Sequence, residues 1–409
     1  MLSAALSVLR PSHRSESAVL LVAFLTYLSM GVYGPLVPSI QAEYGASASD
    51  IGLLISSYAL GRLVISLPAG RYLTRYQPGA VLVVNALVIV VGSVLSAVVS
   101  GLPLLIAVQL LRGIGLTGMV VVILTYLGSI ATPATSARVF GRFFATQLSS
   151  LAISPWLVGL ASIWWPWREV FLASALGPLL AAVALWVWAR SPGFWLLPDR
   201  RAASARTEGI AASGSSMDLW RLGWPAYLAN FISLFVYAGV PLALYPLFGA
   251  QILHLGPDVL GLVLGLTGWG MVLGTSTSTV LGERFGKMRT LALGYGLLVS
   301  VLLPLAVPST VMLVVALALV HLGIGLTASL PTAMLADRMA PARLGSAIGI
   351  TRAGADIGWL VAPTTIGLVL DGTGFGAAFW LAAALSAIGC AVFVREARAA
   401  GHPTVRRTG

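Results

Sequence analysis

Long, unbroken apolar runs constrain the fold of this chain more than any motif does. Twelve of them recur, at about 18–41, 51–73, 79–99, 102–127, 139–162, 169–190, 224–248, 258–281, 290–307, 309–335, 346–370 and 377–394. A transmembrane helix takes about 20 residues, so each run is long enough to cross a bilayer. The runs are continuously apolar and do not alternate, which argues against the ~10-residue strands of a membrane barrel. Only 9% of the 409 residues are Asp, Glu, Lys or Arg and 58% are apolar, whereas soluble proteins carry roughly 25% charged residues. The sequence predicts an all-α membrane protein with twelve transmembrane helices. Residues 1–17 hold Arg10, His13 and Arg14 but lack a small-residue cleavage site. The first span is therefore read as retained, not as a signal peptide.

The charges sort by side. If the N-terminus is cytoplasmic, twenty of the 24 basic residues fall on inner segments, and the outer loops hold one, Arg168, beside Glu43, Asp50, Glu169, Asp258 and Asp371. Short inner loops of membrane proteins are rich in Lys and Arg, which predicts both termini inside and a multi-pass protein of the plasma (inner) membrane. These basic residues are spread over seven short segments, so the net charge of +11 does not read as a nucleic-acid face. The single cysteine, Cys390, excludes an intramolecular disulfide and a Cys-based metal site. No Gly-x4-Gly-Lys phosphate loop, Ser/His/Asp set or metal-ligand spacing stands out. The chain reads as no enzyme and as needing no cofactor, with a proton gradient as its expected energy source.

The longest polar break, 191–223, holds Ser191-Pro192-Gly193, Arg200-Arg201 and an Ala/Ser/Gly-rich stretch. It reads as a cytoplasmic linker between bundles at 18–190 and 224–394, with short cytoplasmic segments at 1–17 and 395–409. The halves repeat at an offset of 208–210 residues. Pro38 meets Pro246 and Asp50 meets Asp258. Gly113-Ile114-Gly115-Leu116-Thr117 recurs as Gly323-Ile324-Gly325-Leu326-Thr327. Ser154-Pro155-Trp156-Leu157-Val158-Gly159 is mirrored by Ala362-Pro363-Thr364-Thr365-Ile366-Gly367, and Phe171 meets Phe379. A parallel repeat of this kind places a substrate path between two bundles.

With these features the chain resembles the major facilitator superfamily over residues 18–394. The family carries a glycine, an acid and basic residues between spans two and three. Here Gly70, Arg71 and Arg75 fit, with Thr74 where the family usually has Asp. The matching loop of the second half keeps acid, base and glycine as Gly282-Glu283-Arg284-Phe285-Gly286-Lys287-Met288-Arg289. Span four reads Gln109-Leu110-Leu111-Arg112-Gly113, the family's Arg-x-x-Gln-Gly with its two polar side chains exchanged. Span five carries part of the antiporter-type Gly-Pro-x-x-Gly-Gly element as Ser154, Pro155 and Gly159, and Trp167-Arg168 with Phe171 opens span six. The resemblance implies two pseudo-symmetric six-helix bundles and secondary transport by alternating access. Its drug/proton antiporter branch implies proton-coupled export of a small organic molecule.

An ionisable group inside a span costs about 2.5–3.5 kcal/mol on insertion scales, so each one is a functional candidate. These are Arg62, Arg112, His321, Arg352 and Asp356, with Gln109, Tyr33 and Tyr237 as polar candidates. Arg352 and Asp356 lie four apart and share a helix face, where they can pair. Such a pair either couples transport to protons or anchors the inner end of span eleven. Arg62 and Arg112, with no acid in their own helices, either draw an anionic substrate into a cavity, satisfy oxygens between packed helices, or sit beside Asp356. His321 either relays protons or is packed and hydrogen-bonded. Arg71, Arg75, Glu283, Arg284 and Arg289 either latch the cytoplasmic side by ion pairs or serve topology and anionic lipid. Gly113, Gly115, Gly159 and Gly367 let helices approach closely, and Pro155 and Pro363 kink them. Three arginines against one carboxylate inside the membrane motivate the alternative of organic-anion uptake or exchange, and a lipid flippase on the same fold remains a further one. The expected partners are a small-molecule substrate and the lipid bilayer, with the chain working as a monomer.

Overall fold

The computed structural model describes residues 11–66, 78–131, 135–189, 216–303, 309–339 and 341–400. Among these there are only helices and their connections, with no strand. This follows from the solvent: in lipid a lone segment satisfies its backbone N–H and C=O groups only by coiling. The first half comprises α1 (Pro11–Tyr27), α2 (Tyr33–Tyr44), α3 (Ala48–Ser66), α4 (Pro78–Val98), α5 (Leu102–Ile130), α6 (Ser136–Ala161), α7 (Trp167–Ala173) and α8 (Leu176–Ala189). The second comprises α9 (Ser216–Gly239), α10 (Tyr245–Gln251), α11 (Pro257–Phe285), α12 (Lys287–Leu302), α13 (Thr310–Ala328), α14 (Leu330–Arg338), α15 (Pro341–Thr373) and α16 (Phe375–Ala400).

Eleven described helical stretches are long and apolar enough to cross a membrane. The expected ninth span, 290–307, is described as α12, sixteen residues long, and 304–308 lie outside the described residues. So do 1–10, the last residue of the first bundle at 190, 191–215 of the expected linker and 401–409 of the tail. α9 begins at Ser216, inside the stretch read as linker.

The first and seventh spans are each a broken helix, not the continuous helix expected. Between α1 and α2 the chain tightens into a 3-10 turn at Leu28–Met30. At the equivalent depth of the second half, Val240–Leu244 opens into a π-helix around Pro241. Pro241 lacks the N–H that would continue the ladder, and π-bulges accommodate such a gap. In the first span a neighbour fills the gap: Ser154 of α6 receives the N–H of Gly31 at 3.0 Å and donates its hydroxyl to the Leu28 carbonyl. Polar backbone freed inside a membrane needs such a partner.

The halves meet along two seams. In one, α3 runs against α15; in the other, α6 runs against α11. Their closest points are pseudo-equivalent. A methyl group built on Gly52 would stand 2.3 Å from the Pro363 carbonyl oxygen, and one on Gly261 would stand 2.4 Å from that of Pro155. Only glycine admits backbones this close. Gly159 likewise packs against Asp258 and Gly261, and Gly367 against Ala48 and Ser49. Both closures lie at the end of the molecule that carries Glu43, Asp50, Asp258 and Asp371, here called the acidic end. Asp371 reinforces the first seam by accepting the N–H groups of Ala48 and Ser49 at 2.9 and 2.8 Å, where the α3 helix dipole favours an anion. Gln251 donates to Gln41 across the halves at 2.9 Å.

Toward the opposite, basic end the seams part. Gly141 and Gly349 lie fourteen residues before Pro155 and Pro363, so they sit on nearly the same helix faces. Both are exposed, and a methyl group on either would meet nothing within 4 Å. Among the described residues, the halves thus enclose a cleft that is shut at the acidic end and open at the basic one.

Candidate functional site

The innermost link of the α3–α15 seam is an ion pair. Arg62 Nη2 lies 2.7 Å from Asp356 Oδ1, with the side chains 22% and 10% exposed. The guanidinium also stacks 4.6 Å from the Trp359 ring centroid. This corrects the expected Arg352–Asp356 pair. The i,i+4 spacing allows that contact, but Arg62 projects from the facing helix directly toward the carboxylate. Arg352 sits on the stripe of Asp356, Trp359 and Pro363, which repeats every three or four residues and faces the cleft. It is exposed there and has no ion-pair partner among the described residues.

Arg112 is placed differently. It is 2% exposed and lies inside the first bundle against Gly92 of α4. It donates to the Ser29 carbonyl at 2.7 Å, to Gln109 Oε1 at 3.0 Å and to the Tyr33 hydroxyl at 3.3 Å. Tyr33 in turn donates to Gln109 Oε1 at 2.8 Å, and Gln109 Nε2 donates to Ser96 at 3.1 Å. The Tyr33 and Phe171 rings lie 5.4 and 5.2 Å from the guanidinium. All these partners are neutral, so the charge is solvated by oxygens and rings. In this conformation Arg112 does not face the cleft, and the anion-attracting role considered for it has no access to solvent. Between the expected alternatives, the structure places it among oxygens in packed helices.

The cleft ends, above the ion pair, in a cavity of about 40 Å³. Both broken helices line it, through Met30 and Tyr33 on one side and Tyr237 on the other, together with Met271, His321 and Trp359. Tyr237 meets Trp359 edge-on at 5.4 Å. The Trp359 Nε1–H and the Tyr58 hydroxyl are buried and have no hydrogen-bond partner among the described residues. His321 is 4% exposed and its Nδ1 lies 3.0 Å from the Leu317 carbonyl. Of the sequence candidates, Arg62, Asp356, Tyr33, Tyr237 and His321 thus converge on or beside one cavity.

The expected cytoplasmic latch lies only partly within the described residues. Gly70, Arg71 and Arg75 lie outside the described residues. Glu283, Arg284 and Arg289 are exposed and form no ion pair among the described residues. At this basic end Lys287 pairs with Asp337, Arg142 with Glu16 at 3.1 Å, and Arg338 with Glu396 at 3.7 Å. The packing residues act by close approach. Gly113 fits against the Tyr58 carbonyl of α3 and Gly115 against Asn85 and Ile89 of α4. Pro155 and Pro363 lie within α6 and α15, and Gly159 and Gly367 close the seams.

Sequence reasoning missed Trp359, Met30, Met271, Gly52, Gly261 and Asp371. The repeat held a signal for some of them: Gly52 and Gly261 differ by 209 positions and Gln41 and Gln251 by 210. Trp359 continues the helical stripe of Arg352 and Asp356.

Two pseudo-symmetric helical bundles, a cleft between them and a small, mostly apolar cavity at its closed end define a membrane transporter architecture. The sequence model of the Major Facilitator Superfamily matches residues 19–256 and again 226–408, and the chain belongs to that superfamily. It is 24% identical over 379 residues to multidrug resistance protein 1 of Bacillus subtilis, covering 91% of this chain and 93% of that one. It is 26% identical over 415 residues to the gentisate transporter of Corynebacterium glutamicum, covering 95% and 90%. A crystal structure of a D-xylose–proton symporter superposes with a TM-score of 0.71 at 14% identity, covering 92% and 96%.

Proposed function

We propose that the chain is a secondary transporter that moves a small organic molecule by alternating access, with its basic end toward the cytoplasm. The observation that carries this reading is the Arg62–Asp356 ion pair, which joins the two bundles where the closed seam gives way to the open cleft. Opening the acidic end separates α3 from α15 and breaks this pair. Asp356 is then left with Arg352, one turn along its own helix, as an alternative partner. A proton on Asp356 removes the charge that holds Arg62, which gives proton coupling a place to act.

Among the described residues, the charges beside the cavity are Arg62 and Arg352 against Asp356, one positive charge in excess. In a low-dielectric cleft this favours an anionic substrate. Kinship to a protein named a gentisate transporter supports the same choice. Export of a drug-like molecule is the second reading, supported by kinship to a multidrug resistance protein.

The test is substrate-induced proton movement in proteoliposomes, comparing wild type with Asp356→Asn. The expected result is loss of the proton signal in the variant. Equal proton flux in both rules out coupling through Asp356.

A further inference from the structure

Three side chains that line the cavity between the broken helices end in soft or borderline donor atoms: Met30, Met271 and His321. All three are buried. Met30 belongs to the 3-10 turn of the first bundle, Met271 to α11 and His321 to α13 of the second. They lie 241 and 50 positions apart, so no sequence motif announces them. α11 and α13 touch where the second pair sits. A methyl group on Gly270 would stand 3.3 Å from His321 Cβ, and one on Gly325 would stand 2.4 Å from the Met271 carbonyl oxygen. Gly325 lies one turn beyond His321, so thioether and imidazole leave adjoining turns of two packed helices. Met30 approaches from the other bundle, its turn pinned by the 3.0 Å hydrogen bond from Gly31 to Ser154.

The histidine is already set as a ligand. The Leu317 carbonyl can only accept, so His321 Nδ1 carries the proton of their 3.0 Å contact. In the neutral ring Nε2 is then a bare lone pair, with no partner among the described residues. Metal-binding imidazoles are held in this way, with the other ring nitrogen donating to a carbonyl. Methionine also fills gaps in ordinary cores, but here two thioethers and this lone pair share one cavity. Its volume of about 40 Å³ suits a few waters or one ion, whereas pockets for drug-sized ligands measure about 300–1,000 Å³.

We propose that this cavity binds a soft monovalent cation, Cu(I) or its redox-inert analogue Ag(I), through the Met30 and Met271 thioethers and His321 Nε2. Thioethers select Cu(I), and imidazole suits the same metal. No carboxylate or thiol lines the cavity among the described residues. A divalent ion would therefore bring two uncompensated charges, while a single charge is met by the rings of Tyr33 and Tyr237, whose faces attract cations. The repeat keeps a charge off this wall: Met271 holds in α11 the place that Arg62 holds in α3, 209 positions earlier. Arg62 does not line the cavity and is matched by Asp356, and Arg352 is exposed in the cleft. The site is separate from the organic substrate proposed above and is tested by binding alone.

The experiment is competition for Cu(I), kept reduced by ascorbate, between a chromogenic chelator and the purified full-length chain. Cys390→Ser serves as the parent, since it removes the only thiol. The parent takes up a single equivalent, Ag(I) displaces it, and an excess of Zn(II) does not. Met30→Leu and Met271→Leu, which conserve volume, each weaken binding about tenfold or more, at least what losing an outer-shell partner costs. His321→Gln does the same, and Met334→Leu, buried elsewhere in α14, leaves the affinity unchanged. X-ray absorption at the copper edge of the parent needs no further variant and shows sulfur and nitrogen neighbours. Absence of a bound equivalent overturns the proposal. So does a copper shell without sulfur, affinity unchanged in both Met30→Leu and Met271→Leu, or displacement by Zn(II).

Discussion

The two seams between the bundles share a backbone and differ in chemistry. Each sets a glycine against the carbonyl of a helical proline, Gly52 on Pro363 and Gly261 on Pro155. Each ends at the acidic side in a second glycine contact. The α6–α11 seam continues inward through Ala152 and Gly268 and carries no ion pair among the described residues. The α3–α15 seam continues through a Ser56–Thr364 hydrogen bond of 2.9 Å to Arg62 and Asp356, and is capped by Asp371. The common backbone geometry lets either seam close. Only the charged seam can register a ligand or a proton, because only there does closure depend on a charge.

The largest expected effect follows from breaking the charged seam. Removing one partner of a desolvated ion pair costs about 3–5 kcal/mol, and the partial exposure of Arg62 places Asp356→Ala toward the low end. Thermal unfolding in detergent should show the loss, and transport should fall by more than tenfold. The exchange Arg62→Asp with Asp356→Arg should recover part of the stability, and recovery of none would show that pairing is not what matters.

A steric change should treat the seams alike. Gly52→Leu and Gly261→Leu each force a side chain into a backbone carbonyl, so both should hold the acidic end open, read as increased labelling of a cysteine placed there. A large difference between them breaks the pseudo-symmetry. The Asp371 cap should matter less. Asp371→Asn weakens a charge-assisted contact at a helix N-terminus by about 0.5–2 kcal/mol, measured as a smaller shift in melting temperature. Gln41→Ala, which removes an exposed neutral hydrogen bond, should cost about 0.5 kcal/mol or less and barely change transport.

The architecture was legible in the sequence because lipid imposes it residue by residue. Twelve apolar runs and the 208–210 offset are enough to name two bundles. The site was legible only as an inventory. Asp356 and Arg62 stand out as charges in spans, but their pairing depends on how two helices 294 positions apart are rotated. The i,i+4 rule could offer only the local partner, Arg352. Arg112 and Arg62 look alike in sequence, each a lone cation in mid-span. One is enclosed by Ser29, Tyr33 and Gln109 and the other faces the cleft, a distinction made by neighbours from other helices. The breaks at Leu28–Met30 and Val240–Leu244 were hidden because apolar composition continues through them. Only the hydroxyl of Ser154, aimed at freed backbone, explains why the first is tolerated.

The central claim is that the Arg62–Asp356 pair holds the acidic end shut. Pulsed electron–electron distance measurement between spin labels at Gln41→Cys and Gln251→Cys, in a Cys390→Ser background, reads that closure directly. With the pair intact the account predicts a dominant short distance, and with Asp356→Asn a shift of population to longer distances. An unchanged distance distribution in Asp356→Asn would contradict it.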